Sequence, residues 1–163
     1  MINLTNYKIL SNLYICPTPI GNLQDISARV LDTLETVDVI YCEDTRRARK
    51  LVENFSITTP LKSYFVGNEK IKIAEIEMAL TNGKNVALIS DAGTPLISDP
   101  GNVLIQQLIQ KNYNIVSIPG PSSVLTALTV SGFELNEFKF LGFVPKAGKE
   151  KEEFVIKLLN SKM

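Results

Sequence analysis

The run Val86-Ala87-Leu88-Ile89 passes without a polar break into SDAGTPLISDPG (90–101). Four consecutive apolar residues leave no side for water, so as a strand they must be covered on both faces. The twelve residues that follow hold two Ser-Asp pairs, two glycines and two prolines around one Leu-Ile step. Such chemistry forces two sharp turns directly beyond the strand. The same succession recurs along the chain. Leu13-Tyr14-Ile15-Cys16 runs into PTPIGN, Val37 to Cys42 into EDTRR, and Asn114 to Ile118 into PGPSS.

Helical spacing fills the intervals. Ile26, Val30, Leu31 and Leu34 recur on one face behind a cap at Asp25 or Ser27. Thr45 to Phe55 reads as a basic helix. Leu61 to Phe65 is a short strand, and Ile71 to Ala79 a helix closed near Asn82-Gly83. Asn102 to Gln110 and the stretch from PGPSS to Val130 complete the helices. Strands alternating with helices, with most strands continuously apolar, predict an α/β fold. Its mostly parallel five-stranded sheet carries helices on both faces. Ligands of such sheets bind beyond the carboxyl ends of the strands, where all four turn-rich loops fall. Phe138 to Val144 reads as a further strand, followed by an amphipathic stretch with Phe154, Val155, Leu158 and Leu159 on one side. The expected division is therefore residues 1–119 as one domain. Residues 120–163 are then a linker helix and the start of a second α/β domain, most of which is missing.

Composition narrows the chemistry. At 163 residues, 45% hydrophobic and 21% charged, the chain suits a protein with a packed core. The formal net charge of +0 gives no global attraction to nucleic acid and leaves only local patches to carry it. There is no histidine, so acid–base work falls to carboxylates, Lys, Tyr or the substrate, and the usual zinc frameworks are excluded. No metal site is expected. Cys16 and Cys42 sit in apolar runs and read as buried free thiols of a reducing compartment. With no signal peptide pattern and no apolar run near the length of a membrane span, the expected location is the cytoplasm, with no membrane partner.

Each loop has a plain reading beside a functional one. SDAGTP places Gly93 where backbone comes close to something, or simply turns the chain. PTPIGN lacks the Gly-Lys-Ser/Thr of a phosphate loop and the spacing of a dinucleotide fingerprint. It leaves a small ligand held by backbone groups as the option. In EDTRR, Asp44 caps a helix and the arginines are solvated, or Arg46 and Arg47 reach a phosphate. PGPSS offers free N–H groups and two hydroxyls at a helix start, or a plain serine cap.

Taken together and in order, five stretches carry a resemblance. They are TPIGNLQDIS (18–27), CEDTRRARKLV (42–52), ALISDAGTPLISDPG (87–101), IPGPSSVLTAL (118–128) and FKFLGFVPK (138–146). They resemble the ribosomal RNA small-subunit methyltransferase I family, among the tetrapyrrole-methylase-like S-adenosylmethionine-dependent methyltransferases. The resemblance implies a two-domain homodimer that moves the methyl group of S-adenosylmethionine to the ribose 2′-oxygen of a cytidine in 16S rRNA, in the small ribosomal subunit. It implies that Ala92, Gly93 and Thr94 lie against the methionine part of the cofactor, with Ile97 nearby. Pro19 and Gly21 would form the opposite wall, and Ser122 and Ser123 the third cofactor loop. The second corner, Ser98 to Gly101, would start the next helix. Glu43 or Asp44 would take the hydroxyl proton, and Arg46 and Arg47 would clamp RNA phosphates. SYFVGNEK (63–70) departs from the family, whose members tend to have a histidine there. Two other readings compete: a tetrapyrrole methylase of the same fold, and a non-catalytic fragment that dimerises or binds RNA.

Overall fold

A computed structural model describes residues 11–160 of the protein. Five strands form one sheet: β1 (Asn12–Cys16), β2 (Val39–Cys42), β3 (Leu61–Ser63), β4 (Val86–Ile89) and β5 (Asn114–Ser117). Their order is β3-β2-β4-β1-β5 and every pairing is parallel. β4, the most uniformly apolar strand, lies at the centre and is buried along its whole length. The two edge strands are the ones with exposed positions.

Side chains on a strand alternate between faces, and the core divides accordingly. Leu13, Ile15, Val39, Tyr41, Val86 and Leu88 join one buried cluster. Against them pack Ile73, Ile76 and Leu80 of α3 (Glu69–Thr81) and Leu104 and Leu108 of α4 (Asn102–Gln110). Cys16, Ile40, Cys42, Ala87 and Ile89 join the other cluster. There they meet Val30 and Leu34 of α1 (Ala28–Thr36) and Ala48 and Val52 of α2 (Thr45–Asn54). Burying each such branched side chain contributes roughly 1.5–3 kcal/mol, which is why the four central apolar residues demand helices on both sides. Ser27, not Asp25, caps α1 by accepting the Val30 N–H. Both thiols are free and buried, and burial pushes each up to about 12.

The chain separates into two compact units, with the division between Ser122 and Ser123. The second unit contains α5 (Ser123–Thr129) and α6 (Lys149–Leu159). The strand expected over Phe138 to Val144 is not formed, and that expectation is corrected: these residues carry no regular structure. A strand needs a neighbour to satisfy its backbone N–H and C=O groups, and among the described residues none pairs with this segment. Phe138, Phe140 and Phe143 are exposed.

Candidate functional site

The parallel order puts every strand's carboxyl end on one edge. There Cys16 and Cys42 stand in register on either side of Ile89. The loop after β4 therefore leaves the middle of the sheet between the loop after β1 and the loop after β2. β1 connects through α1 to one side of the sheet, and β4 through α4 to the other, with the two helices on opposite faces. A crevice opens where neighbouring connections diverge in this way.

The loops after β1 and β4 are tied together. Thr18 and Gly93 exchange two backbone hydrogen bonds, each 2.9 Å. The Thr18 hydroxyl donates to the Ser90 carbonyl at 3.0 Å, and the Ser90 hydroxyl to the Gly93 carbonyl at 2.9 Å. Both hydroxyl residues are buried. Thr94 Oγ1 donates to the Pro121 carbonyl at 2.9 Å and so attaches the loop after β5. Gly93 has φ +82°, a conformation that favours glycine. A Cβ there would stand 3.2 Å from Ile20 Cδ1 and 3.7 Å from the Pro121 carbonyl oxygen.

The second corner works by a substitution of volumes. Gly101 has φ +128°, and a Cβ on it would lie 2.6 Å from Leu96 Cδ2 and 3.3 Å from Leu88 Cδ2. Leu96 itself is held at φ +76°, a left-handed conformation that costs a non-glycine residue about 1–3 kcal/mol. The Leu96 side chain fills the space that Gly101 leaves, so the corner fastens the loop to the sheet. Gly101 is also the N-cap residue of α4, and no side chain caps that helix.

The loop after β2 carries charge. Asp44 caps α2: its Oδ1 accepts the Arg46 N–H at 2.8 Å, and its Oδ2 accepts from Arg46 Nη2 at 2.7 Å. Those bonds hold its carboxyl well below the ordinary range. Glu43 is pushed up, first by desolvation and then by Asp91 and Asp99, with Arg47 pulling the other way. Asp99 is raised as well, by desolvation and by Asp91. Glu43 and Asp99 line one small cavity with Tyr64 and Ser90. Asp91 pairs with Arg47 at 3.4 Å and accepts the Asp44 N–H at 3.3 Å.

The residues singled out from sequence fall as follows. Pro19, Gly93 and Thr94 stand in the tied loops, and Thr94 spends its hydroxyl on Pro121. Gly21 has φ +79° with open space around it. Ala92 and Ile97 are exposed on the loop. Ser122 ends the first unit, and Ser123 opens α5 in the second. Arg46 and Arg47 are engaged by Asp44 and Asp91. Sequence reasoning passed over Thr18 and Ser90, whose hydroxyls hold the loops, and Asp91 and Asp99, which set the charge around Glu43. The available signal was position: all four lie inside or beside the quoted motifs.

A cleft of about 200 Å³ opens between the loops after β1 and β4 and the helix α2. Among the described residues, no group of His, Cys, Asp and Glu is arranged to hold a metal ion. Nor is any helix long and apolar enough to cross a membrane.

Comparison with known proteins gives a consistent result. The profile of the family Tetrapyrrole (Corrin/Porphyrin) Methylases matches residues 12–161. The chain is 43% identical over 159 residues to a ribosomal RNA small subunit methyltransferase I of Vibrio cholerae, covering 95% of this chain and 55% of that protein. It is 48% identical over 145 residues to the protein of that name from Mycoplasmopsis pulmonis, covering 88% and 65%. The Thermotoga maritima protein of that name is 44% identical over 146 residues, covering 90% and 65%. The chain thus spans between about half and two thirds of the length of these relatives. Among solved structures, a cobalt precorrin-4 methyltransferase superposes with a TM-score of 0.64 at 18% identity, over 91% of this chain and 63% of that one. A diphthine synthase superposes at 0.63 and 19%, over 79% and 52%. At such identities the likeness is one of fold.

Proposed function

Because the chain belongs to the tetrapyrrole (corrin/porphyrin) methylase family, we propose that it serves S-adenosylmethionine-dependent methylation of a cytidine ribose 2′-oxygen in 16S rRNA. The names of its relatives support this substrate. The observation that carries the reading is the clamp of three loops on the carboxyl edge, from Thr18 to Gly93 and from Thr94 to Pro121. A cradle fixed in advance suits a reaction that needs alignment more than acid–base power.

The cofactor fits this edge. A side chain on Gly93 would be strained at φ +82° and would press on Ile20, and Ala92 beside it is small and exposed. Pro19, Gly21, Ala92, Gly93, Thr94, Ile97, Ser122 and Ser123 are the residues proposed to hold it. When bound, S-adenosylmethionine supplies the sulfonium methyl that the ribose oxygen takes, the electron pair of the broken S–C bond staying on sulfur. The chain must position that oxygen and accept its proton. Glu43 suits the second task better than Asp44. Its carboxyl is exposed and raised in proton affinity, whereas Asp44 is committed to α2 and to Arg46. Arg46 and Arg47 are exposed and each keeps N–H donors beyond those directed at its acid, and these are the groups proposed for the phosphate contacts.

Residues 1–119 are the methylase domain in this reading, and 120–163 a linker helix and the opening of a second α/β domain. The working form is a cytoplasmic homodimer acting on rRNA or the small subunit. The exposed Phe133, Phe143 and Leu159 of the second unit support further protein covering them.

Calorimetric titration of the chain with S-adenosylmethionine tests the reading, together with radiolabelled methyl transfer to small subunits lacking the modification. Micromolar cofactor binding by the chain is expected, and label in the rRNA where the second domain is whole. No binding up to millimolar cofactor would sink the assignment of the cradle to these three loops, and no label in rRNA from a protein with both domains would sink the substrate.

A further inference from the structure

The cleft beside α2 adjoins the clamp of the three loops and shares Thr18 and Pro19 with it. Its floor is apolar: Pro19 and Leu23 from the β1 side, Ile89 from the end of β4, and Leu51 from α2. Its rim is polar and comes from the same helix. Arg47, Lys50, Leu51 and Asn54 are spaced at i, i+3, i+4 and i+7, so one helical face lines the opening. Arg47 is held by Asp91, which also borders the cleft. Among the described residues Lys50 has no ion pair, so the rim carries one cation more than it carries acids. An apolar slot with a cation at its mouth and an amide at its edge matches a nucleotide. A base would lie on the floor, Lys50 would meet a phosphate, and the Asn54 amide would offer both donor and acceptor to a base edge.

Resting on the rRNA reading above, we propose that this cleft seats a pyrimidine nucleotide of single-stranded RNA, presenting its ribose to the loop at Ser90 and Asp91. Single-stranded RNA is recognised through unstacked bases and backbone phosphate together, and the cleft supplies both surfaces within one unit of the chain. Ser90 borders this cleft and also the small cavity that holds Glu43. A nucleotide seated there therefore has its sugar at the junction of the two.

The test uses the chain with a cytidine trinucleotide, followed by amide chemical shifts in NMR. Shifts should concentrate at Ala48, Leu51 and Ser90. Lys50→Ala should weaken binding by about 3–10-fold and lower the salt slope by about one phosphate contact. Asn54→Trp, on an exposed position, should fill the slot and abolish the shifts. Lys70→Ala, on the exposed surface of α3, should leave them unchanged, and unfolding curves confirm that all three variants fold. Titration of Asn54→Trp with S-adenosylmethionine separates the two readings. Unchanged cofactor affinity with lost trinucleotide binding supports the inference. Lost cofactor affinity assigns the cleft to the cofactor and overturns it, leaving the methylase reading intact. Trinucleotide shifts elsewhere, or none up to 10 mM (about −2.7 kcal/mol at this limit), overturn it as well. Trinucleotide binding here without any cofactor binding would leave the inference and remove the methylase reading.

Discussion

The loops after β4 and β2 border the same edge but are built from different forces. SDAGTPLISDPG is held by buried hydroxyls, backbone exchange and the Leu96–Gly101 fit. EDTRR is held by a helix cap and by charges that water reaches. Buried hydrogen bonds of the first kind fix positions and resist salt. Exposed ion pairs of the second kind contribute little to stability and are screened. The difference suits the division of tasks proposed above, with geometry from one loop and proton affinity and charge from the other.

The largest break in that comparison is Gly101→Val. The new side chain meets Leu96 and Leu88 and sits at a φ it does not tolerate. The expected loss is roughly 2–4 kcal/mol in urea unfolding, with little dependence on salt. Thr18→Val comes next. It keeps the shape but leaves the buried Ser90 carbonyl without the hydroxyl donor, for a loss of about 1–3 kcal/mol. It should also weaken S-adenosylmethionine binding about tenfold. Thr18→Ser should recover most of both. An unaltered Tm and affinity in Thr18→Val would show that the tie between the loops is not what fixes the cradle.

The sequence carried the sheet readily, because uninterrupted apolar runs such as Val86 to Ile89 have only one economical use. It also carried the loops' location, since parallel strands leave no other edge for them. It did not show which atoms within a motif face inward. The Thr94 hydroxyl donates to the Pro121 carbonyl and the Thr18 hydroxyl to the Ser90 carbonyl, and neither partner is marked in the motif that carries the threonine. Such assignments depend on contacts between residues 27 to 75 positions apart, 94 to 121 and 18 to 93. Local chemistry cannot specify them. Phe138 to Val144 misled for the related reason that an apolar segment becomes a strand only when a neighbour pairs with it.

The loop after β2 should respond more weakly and with opposite signs. Asp44→Ala removes the cap and the Arg46 partner, so Tm should fall by less than for Thr18→Val. Asp44→Asn retains the oxygen that accepts the Arg46 N–H and should be close to neutral. The wild-type contribution of Asp44 is present above the ordinary aspartate range. Because the folded-state affinity for a proton is lowered, that contribution is lost progressively as pH falls from the ordinary aspartate range toward the lower folded value.

Glu43 gives the smallest and most informative effect. Its proton affinity is raised in the folded chain by desolvation and by Asp91 and Asp99. A raised carboxyl favours folding at low pH, and that contribution is lost as pH rises through the folded value. Glu43→Gln should therefore raise Tm slightly at pH 8 and leave it unchanged near pH 4, where the wild-type carboxyl is largely protonated. If Glu43 accepts the ribose proton, the same variant should lose methyl transfer while keeping cofactor affinity. Wild-type transfer should then decline on the acid side at a pH above the ordinary glutamate range. A variant that is more stable and inactive would place the chemistry in the charged loop. A variant that is more stable and fully active would leave Glu43 as an electrostatic cost without a catalytic use.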